Sequence, residues 1–279
     1  MIPAEFDYVA PASLDDALKA LAEGGEDAKV LAGGHSLIPL MKLRMAAPSL
    51  LVDLRQLDEL KAISADDGTV RLGALVTHHQ VATGGFGLVS LAASTIADQQ
   101  VRNMGTIGGT LAHGDPASDM PAVLLAYEGS VVVRGSGGER EIAAADLFED
   151  FLTTTVGEEE ILTEVRFPKL DGYGYGYEKF NRRQEDWAMV AVSALVKKGA
   201  DGTAEDVRIG LTHMGSVPLR ATAAEAALRG KPLTPENIAA AAEQAAEGTE
   251  PPADLNASVE YKQHLARVLT KRALTTASE

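Results

Sequence analysis

The stretch from Leu31 to Arg44 reads LAGGHSLIPLMKLR and changes its hydrophobic pattern partway along. A short apolar segment at residues 29–31 ends at two glycines, and apolar residues then recur at helical spacing from residue 36 to 44. Adjacent glycines permit positive φ and let a ligand approach the backbone closely. Successive N–H groups at such a turn can bind an anion. The pattern therefore predicts a strand, an anion-binding turn and a helix, and the alternative is a tight turn without a ligand.

A second glycine-rich segment, TIGGT at residues 106–110, repeats this composition of hydroxyl side chains around paired glycines. Neither segment has the G-x-G-x-x-G spacing of a dinucleotide-binding Rossmann turn, and neither has the G-x-x-x-x-G-K-[ST] spacing of a P-loop. We expect both segments to be loops whose glycines share the backbone freedom described above. Together they would hold one diphosphate from two sides.

Composition limits the classes of partner. The chain has 279 residues, a net charge of −15 and no cysteine. The negative charge disfavours binding to nucleic acid and to anionic membranes, and without cysteine the chain cannot form disulfides or hold an iron–sulfur cluster through thiolates. We find neither a signal peptide nor an apolar run of about 18 residues. We therefore expect a cytoplasmic protein with no integral membrane segment.

Periodicity predicts the order of the elements. The first 55 residues follow an αβαβ pattern, with Ser13 as the N-cap of the first helix. From Asp171 the segment DGYGYGYEKF alternates Gly and Tyr, which predicts an edge strand or a two-sided strand. Further strands and then helices follow it, one of them with Thr234 as its N-cap and Pro235 in its first turn. We expect a domain at residues 1–170, with subdomains at about 1–55 and 56–170, and a C-terminal α+β domain at 171–279.

Five single residues stand out. Asp119 precedes an apolar helix, where it is either a favourable N-terminal charge or an acceptor for sugar-chain hydroxyls. From position alone, Lys179 is a solvated strand residue, and Trp187, the one tryptophan, is a core residue. His78 and His79 have no third ligand nearby in the sequence, so we expect surface or helix-capping residues rather than a metal site.

Three segments together resemble the FAD-binding medium subunit of molybdenum hydroxylases: AGGHSLIPLMKLR, TIGGTLAHGDPASD and EKFNRRQEDWAMV. Medium subunits of carbon monoxide dehydrogenase are the most similar, and the FAD domain of xanthine dehydrogenase is more distant. The resemblance implies an α+β fold of the FAD-binding type found in p-cresol methylhydroxylase and vanillyl-alcohol oxidase. Two α/β subdomains would precede a C-terminal α+β domain of antiparallel strands and helices.

The resemblance also implies roles for particular positions. The implied first pyrophosphate loop comprises Ala32, Gly33, Gly34, His35, Ser36 and Leu37, and the second loop comprises Thr106, Gly109 and Thr110. Beside them, the apolar wall comprises Ile96 and Ala97, and Leu162 makes a backbone contact. Asp119 is the carboxylate on the sugar-chain hydroxyls, Lys179 is the lysine near the flavin, and Trp187 is the aromatic near the isoalloxazine. Two positions depart from the family: Thr110 stands where Asn or Ser is common, and His113 stands where Asn or another small residue is usual.

The function implied by the resemblance is electron transfer. Non-covalent FAD on this chain would accept electrons from [2Fe–2S] clusters of a small iron–sulfur subunit and pass them to an external acceptor. A large subunit would hold the molybdenum cofactor, and the complex would be a dimer of heterotrimers. No catalytic residue and no metal ligand is expected on this chain. Two alternatives stay open: a self-sufficient flavin oxidase or dehydrogenase with FAD attached at or near His35, and a non-enzymatic nucleotide-binding module.

Overall fold

The chain, described here over residues 2–279 of a computed structural model, begins with a small parallel sheet. Its strands lie in the order β1-β3-β2, and α1 and α2 supply the crossovers that parallel strands need. As predicted, Ser13 caps α1 by accepting a hydrogen bond from the Asp16 N–H. The strand at residues 7–9 was not predicted, because three exposed residues show no hydrophobic period. The elements are β1 (Asp7–Val9), α1 (Leu14–Gly24), β2 (Ala28–Leu31), α2 (Leu37–Lys42) and β3 (Leu50–Asp53).

Alternate residues of β3 face the two helices. Val52 packs with the buried face of α1, whereas Leu51 packs with Met41 of α2 and with Leu31. Successive side chains of a strand point to opposite faces, so this sheet has an apolar layer on each side. The connection between β2 and α2, where the paired glycines lie, is thereby fixed at the carboxyl end of β2.

The next region is an antiparallel five-stranded sheet in the order β4-β5-β10-β6-β7, with helices packed against it. Every residue of α7 is buried, and this helix forms the centre of the largest apolar cluster. The elements are β4 (Ile63–Ser64), β5 (Thr69–Gly73), α3 (His78–Thr83), α4 (Leu88–Ser94), α5 (Gln99–Met104), α6 (Ile107–His113), α7 (Asp119–Tyr127), β6 (Ser130–Gly135), β7 (Gly138–Ala143), α8 (Ala144–Leu147), β8 (Phe148–Asp150), β9 (Thr153–Thr154) and β10 (Ile161–Pro168).

The remaining chain forms an antiparallel sheet in the order β11-β12-β13-β14, covered by three helices. The Gly–Tyr strand β11 lies at the edge of the sheet, as its alternation predicts. Thr234 caps α10 with Pro235 in the first turn, also as predicted. The elements are β11 (Tyr173–Phe180), β12 (Val190–Lys198), β13 (Ala204–Thr212), β14 (Leu219–Arg220), α9 (Thr222–Leu228), α10 (Pro235–Ala242) and α11 (Val259–Ser278).

The alternation of Gly and Tyr in β11 separates two packing partners. A Cβ on Gly174 or Gly176 would lie 2.1 or 2.3 Å from a carbonyl oxygen of α11, so this face must be glycine for the helix to approach. On the opposite face, Tyr173 and Tyr177 pack against the apolar cluster around α7. The edge strand therefore joins α11 on one side to the α7 region on the other.

None of the helices within residues 2–279 combines the length and the apolar character that crossing a membrane requires.

Candidate functional site

One cleft, with a volume of about 620 Å³, collects nearly all of the predicted site residues. The β2–α2 connection, the α5–α6 region, the start of α7 and the end of β11 line it. The residues lining it that the sequence predicted are Ala32, Gly33, Gly34, His35, Ser36, Leu37, Ile96, Ala97, Thr106, Gly109, Thr110, Asp119, Lys179 and Trp187. Leu162 is not among the lining residues, because its side chain is buried in the core around α7. Its predicted contact is through the backbone and stays a prediction.

The two glycines of the first segment serve different purposes. Gly34 has φ of +73°, and a Cβ there would also lie 2.7 Å from Cδ1 of Ile38. Gly33 has no positive φ, but a Cβ on it would lie 2.2 Å from the carbonyl oxygen of Met104. Gly34 thus supplies the turn, and Gly33 lets the turn lie against the junction of α5 and α6.

Backbone donors are free along this turn. Within residues 2–279, the N–H groups of residues 33–37 donate to no protein atom, and the next one along, Ile38 N–H, donates to the Gly34 carbonyl at 3.0 Å. The Ser36 hydroxyl makes no capping bond either. Buried or partly buried N–H groups are nearly always paired, so an unpaired run on a cleft wall fits an anionic ligand.

The second glycine-rich segment is the first turn of a helix, so the prediction of a second loop was wrong. Thr106 is the N-cap of α6, accepting from the Gly109 N–H at 3.1 Å, and Gly109 has no positive φ. The Ile107 and Gly108 N–H groups donate to carbonyls of Val76 and Ala74. This segment therefore presents threonine hydroxyls to the cleft rather than a second run of free amides.

Close packing explains the paired glycines of α6. A Cβ on Gly108 would lie 2.5 Å from Cβ of Ala74, so this glycine allows the helix to contact the chain after β5. On the other side, a Cβ on Gly109 would lie 2.8 Å from the Thr106 hydroxyl and 3.7 Å from Cβ of Ala32. The two glycine-rich segments are therefore neighbours on one wall of the cleft.

His78 is buried, contrary to the expectation of a surface or capping residue. Thr77 caps α3 instead, and the His78 side chain is only 3% exposed. Its Nε2 lies 2.9 Å from the Thr110 hydroxyl, whereas Nδ1 has no partner among residues 2–279. Burial, with smaller contributions from the charges of His35 and Arg102, lowers the pKa of His78 to about 4. A neutral imidazole therefore fixes the Thr110 hydroxyl at neutral pH.

Asp119 and Lys179 form a buried ion pair at the cleft. Lys179 Nζ lies 2.9 Å from Asp119 Oδ2 and donates to the Thr95 carbonyl at 3.2 Å, and both side chains are about 5% exposed. The solvated interpretation of Lys179 is therefore wrong. Tyr177 donates its hydroxyl hydrogen to Asp119 Oδ1. Burial and the negative charge of Asp119 hold the pKa of Tyr177 well above its usual value, so this hydroxyl remains a donor.

Trp187 lies at the rim of the cleft and is 56% exposed. The interpretation of Trp187 as a core residue is therefore wrong. The adjacent Asp186 also lines the cleft and pairs with Arg183 at 2.9 Å. An exposed indole at the rim is available to a planar ligand that enters the cleft.

Arg102 supports the cleft wall from behind, a contact that the sequence did not predict. Its Nη1 donates to the carbonyls of Ile96 and Ala97 at 2.7 and 2.8 Å. Ala97 has φ of +41°, a region that few residues other than glycine occupy. Arg102 thereby holds a strained apolar wall in place. Neither the strain nor the contact leaves a periodic signal in the sequence.

Known proteins match the chain over almost its whole length. A family described as the FAD binding domain in molybdopterin dehydrogenase matches residues 4–170, and one described as the CO dehydrogenase flavoprotein C-terminal domain matches residues 175–277. The carbon monoxide dehydrogenase medium chain of Hydrogenophaga pseudoflava is 39% identical over 99% of this chain and 98% of its own. The 6-hydroxypseudooxynicotine dehydrogenase complex subunit alpha of Paenarthrobacter nicotinovorans is 38% identical over 99% and 96%.

A solved structure is similar in fold as well. Carbon monoxide dehydrogenase from Hydrogenophaga pseudoflava, in a form that lacks the Mo-pyranopterin moiety of the molybdenum cofactor, gives a TM-score of 0.96 at 42% identity. The match covers 99% of this chain and 98% of that one. The expected α+β fold, with an FAD-binding part followed by antiparallel strands and helices, is confirmed.

The fold and the cleft define an FAD-dependent subunit of an oxidoreductase. More particularly, the chain belongs to the family of FAD-binding domains in molybdopterin dehydrogenases, and the resemblance seen in the sequence is confirmed.

Proposed function

We propose that the cleft holds one FAD without a covalent bond and that the chain relays electrons within a molybdenum hydroxylase. The observation that carries the FAD site is the run of unpaired N–H groups at residues 33–37, on a turn where Gly34 requires positive φ. This donor set fits the diphosphate of the cofactor. Thr106 and Thr110 add hydroxyl groups from the neighbouring helix.

The residues farther along the cleft fit the rest of the cofactor. Asp119 retains acceptor capacity for sugar-chain hydroxyls, because a carboxylate has about four acceptor sites and β11 occupies two of them. Ile96 and Ala97 supply an apolar wall that excludes water, and Trp187 supplies an aromatic surface at the rim. FAD, when bound, supplies electron-transfer chemistry that no amino acid side chain offers. The chain contributes binding, orientation and a fixed electrostatic environment.

The relatives and the composition support a set of partner subunits. Both relatives described above are named as one chain of a larger dehydrogenase. This chain has no cysteine, so [2Fe–2S] clusters would lie on a small subunit, and the molybdenum cofactor on a large one. We propose a dimer of such heterotrimers in the cytoplasm, with residues 1–170 and 171–279 as the two domains of this subunit.

Another subunit, rather than this chain, would determine which substrate the complex oxidises. The chain is 39% and 38% identical to subunits of enzymes named for carbon monoxide and for 6-hydroxypseudooxynicotine. Near-equal similarity to enzymes with such different named substrates supports a shared task, which is electron transfer rather than recognition of the substrate.

Co-expression with candidate large and small subunits tests this proposal. We expect the three chains to purify together and to show flavin absorbance that substrate bleaches. Acid precipitation distinguishes the alternatives, because His35 lines the cleft with an exposed side chain where a covalent link could form. Flavin in the supernatant supports a non-covalent site, and flavin that stays with this chain supports the self-sufficient oxidase. A colourless chain that takes up no added FAD would contradict both.

A further inference from the structure

The carboxylate of Asp119 is held at both oxygens by β11, the edge strand of the C-terminal sheet. Tyr177 contacts Oδ1 and Lys179 contacts Oδ2. The two residues are two apart on β11, so their side chains project from the same face of the strand. That face packs toward α7, whose first residue is Asp119.

Tyr177 does not itself line the cleft, whereas Asp119 and Lys179 do. Its hydroxyl is buried and has Asp119 as its acceptor. A carboxylate on a helix start has two rotatable bonds, and an ion pair at one oxygen alone leaves the other free to turn. The second bond, from Tyr177, removes that freedom.

We propose that Tyr177 is a positioning residue for FAD, which fixes the plane of the Asp119 carboxylate so that its remaining acceptor sites face the cleft. The proposal rests on the proposed FAD site. Through this contact, the strand that follows residue 171 helps to build a cofactor site most of whose residues lie before residue 170.

The same strand provides a matched control. Tyr173 lies four residues earlier on the same face and donates to Asp206 Oδ2 at 2.8 Å. Tyr173 does not line the cleft. Tyr173→Phe and Tyr177→Phe therefore each remove one tyrosine–carboxylate hydrogen bond, and only the second bond lies beside the cleft.

The experiment titrates the flavin-free full chain with FAD and follows the flavin fluorescence. We expect the Kd for FAD to rise about tenfold in Tyr177→Phe, in line with the loss of one hydrogen bond to a charged group. Tyr173→Phe should bind FAD within about twofold of wild type. Thermal unfolding of the flavin-free chains should show a lowered midpoint for both variants, so a stability effect alone does not explain a difference in Kd.

A double-mutant cycle with Asp119→Ala separates positioning from a general packing effect. Once the carboxylate is gone, Tyr177→Phe should weaken FAD binding no further. The inference is overturned if Tyr177→Phe binds FAD as wild type does, or if its loss is the same with and without Asp119. If the wild-type chain does not bind FAD at all, the proposed function fails first and the inference falls with it.

Discussion

Single glycines in the first segment shape the part of the cleft wall where we propose that the diphosphate binds. Gly33 makes room for a neighbouring backbone and Gly34 adopts a left-handed conformation. Together they expose the N–H groups of residues 33–37 on the cleft wall. Glycine is thus required at two adjacent positions for two different reasons, which are space for a neighbouring backbone and a positive φ.

Replacing Gly34 by valine should abolish retention of FAD. A β-branched residue at positive φ costs more than about 1 kcal/mol, so the turn should leave the conformation that places its N–H groups on the cleft wall. Gly85→Val is the matched control, because Gly85 has φ of +75° and open space around its Cβ position. The ratio of flavin to protein after purification is the measurement. Equal FAD content in the two variants would contradict the role of the turn.

His78 should make the stability of the fold sensitive to mild acid. Its pKa of about 4 in the folded state lies below the usual 6.5, so the unfolded chain binds a proton first as the pH falls. Stability should therefore decrease between pH 6.5 and 4, by up to about 3 kcal/mol for this one group. His78→Gln keeps a polar group near Thr110 but does not titrate, so it should lose less stability over this range.

Urea unfolding at several pH values measures this difference. His264→Gln, at an exposed histidine of α11, controls for the loss of one histidine from the chain. Parallel stability curves for wild type and His78→Gln would show that His78 takes up its proton as readily in the folded chain as in the unfolded one.

Most of the candidate site residues that were predicted from the sequence lie in compact motifs. The paired glycines, Asp119 and Lys179 lie in quoted segments whose combination is specific to the family. Arg102 and Tyr177 could not be found in this way, because no local pattern records the contacts through which they act. Arg102 donates to carbonyls five and six residues earlier in an irregular segment, and Tyr177 donates to a carboxylate 58 residues earlier. The burial of His78 was missed for a similar reason, since Thr77 takes the cap and turns the histidine inward.

At the scale of elements, local sequence signals predicted whether a segment is a helix or a strand better than they predicted how that segment packs. Caps at Ser13 and Thr234 and the edge position of β11 follow from local chemistry and are confirmed. The segment at residues 106–110 was misjudged, because paired glycines usually indicate a turn. Here Gly108 allows a helix to pack on Ala74, and this tertiary contact outweighs the low helix propensity of glycine.

Asp206 links three elements of the C-terminal sheet and its helices. It accepts from Tyr173 on β11, from Arg208 on β13 and from Arg229 after α9. Burial opposes the ionisation of Asp206, but these hydrogen bonds outweigh it and lower its pKa to about 2. The cluster should therefore stabilise the ionised folded state.

Asp206→Asn should remove an acid-sensitive part of the stability. The folded pKa lies below the usual 3.8, so the contribution of Asp206 is present above pH 4 and is lost as the pH falls toward 2. The difference in unfolding free energy between wild type and variant should shrink by about 2 kcal/mol over that range. Urea unfolding between pH 5 and 2 checks this expectation, and a difference that stays constant with pH would refute it.

At the scale of the whole molecule, residues from three separate parts of the fold line or support the cleft. The parallel sheet supplies the free amides, the α5–α6 region supplies hydroxyls and an apolar wall, and β11 supplies the partners of Asp119. Periodicity predicted these parts separately, whereas their meeting at one cleft depends on long-range packing. The matching composition of the two glycine-rich segments suggested that those two would converge, and the resemblance to a family added Asp119, Lys179 and Trp187 to the same site.

A crystal structure of the chain with FAD tests the central claim most directly. The account predicts that the diphosphate lies within hydrogen-bonding distance of the N–H groups of residues 33–37, with the start of α6 beside it on the same wall of the cleft. A diphosphate bound elsewhere, with those N–H groups facing only solvent, would contradict it.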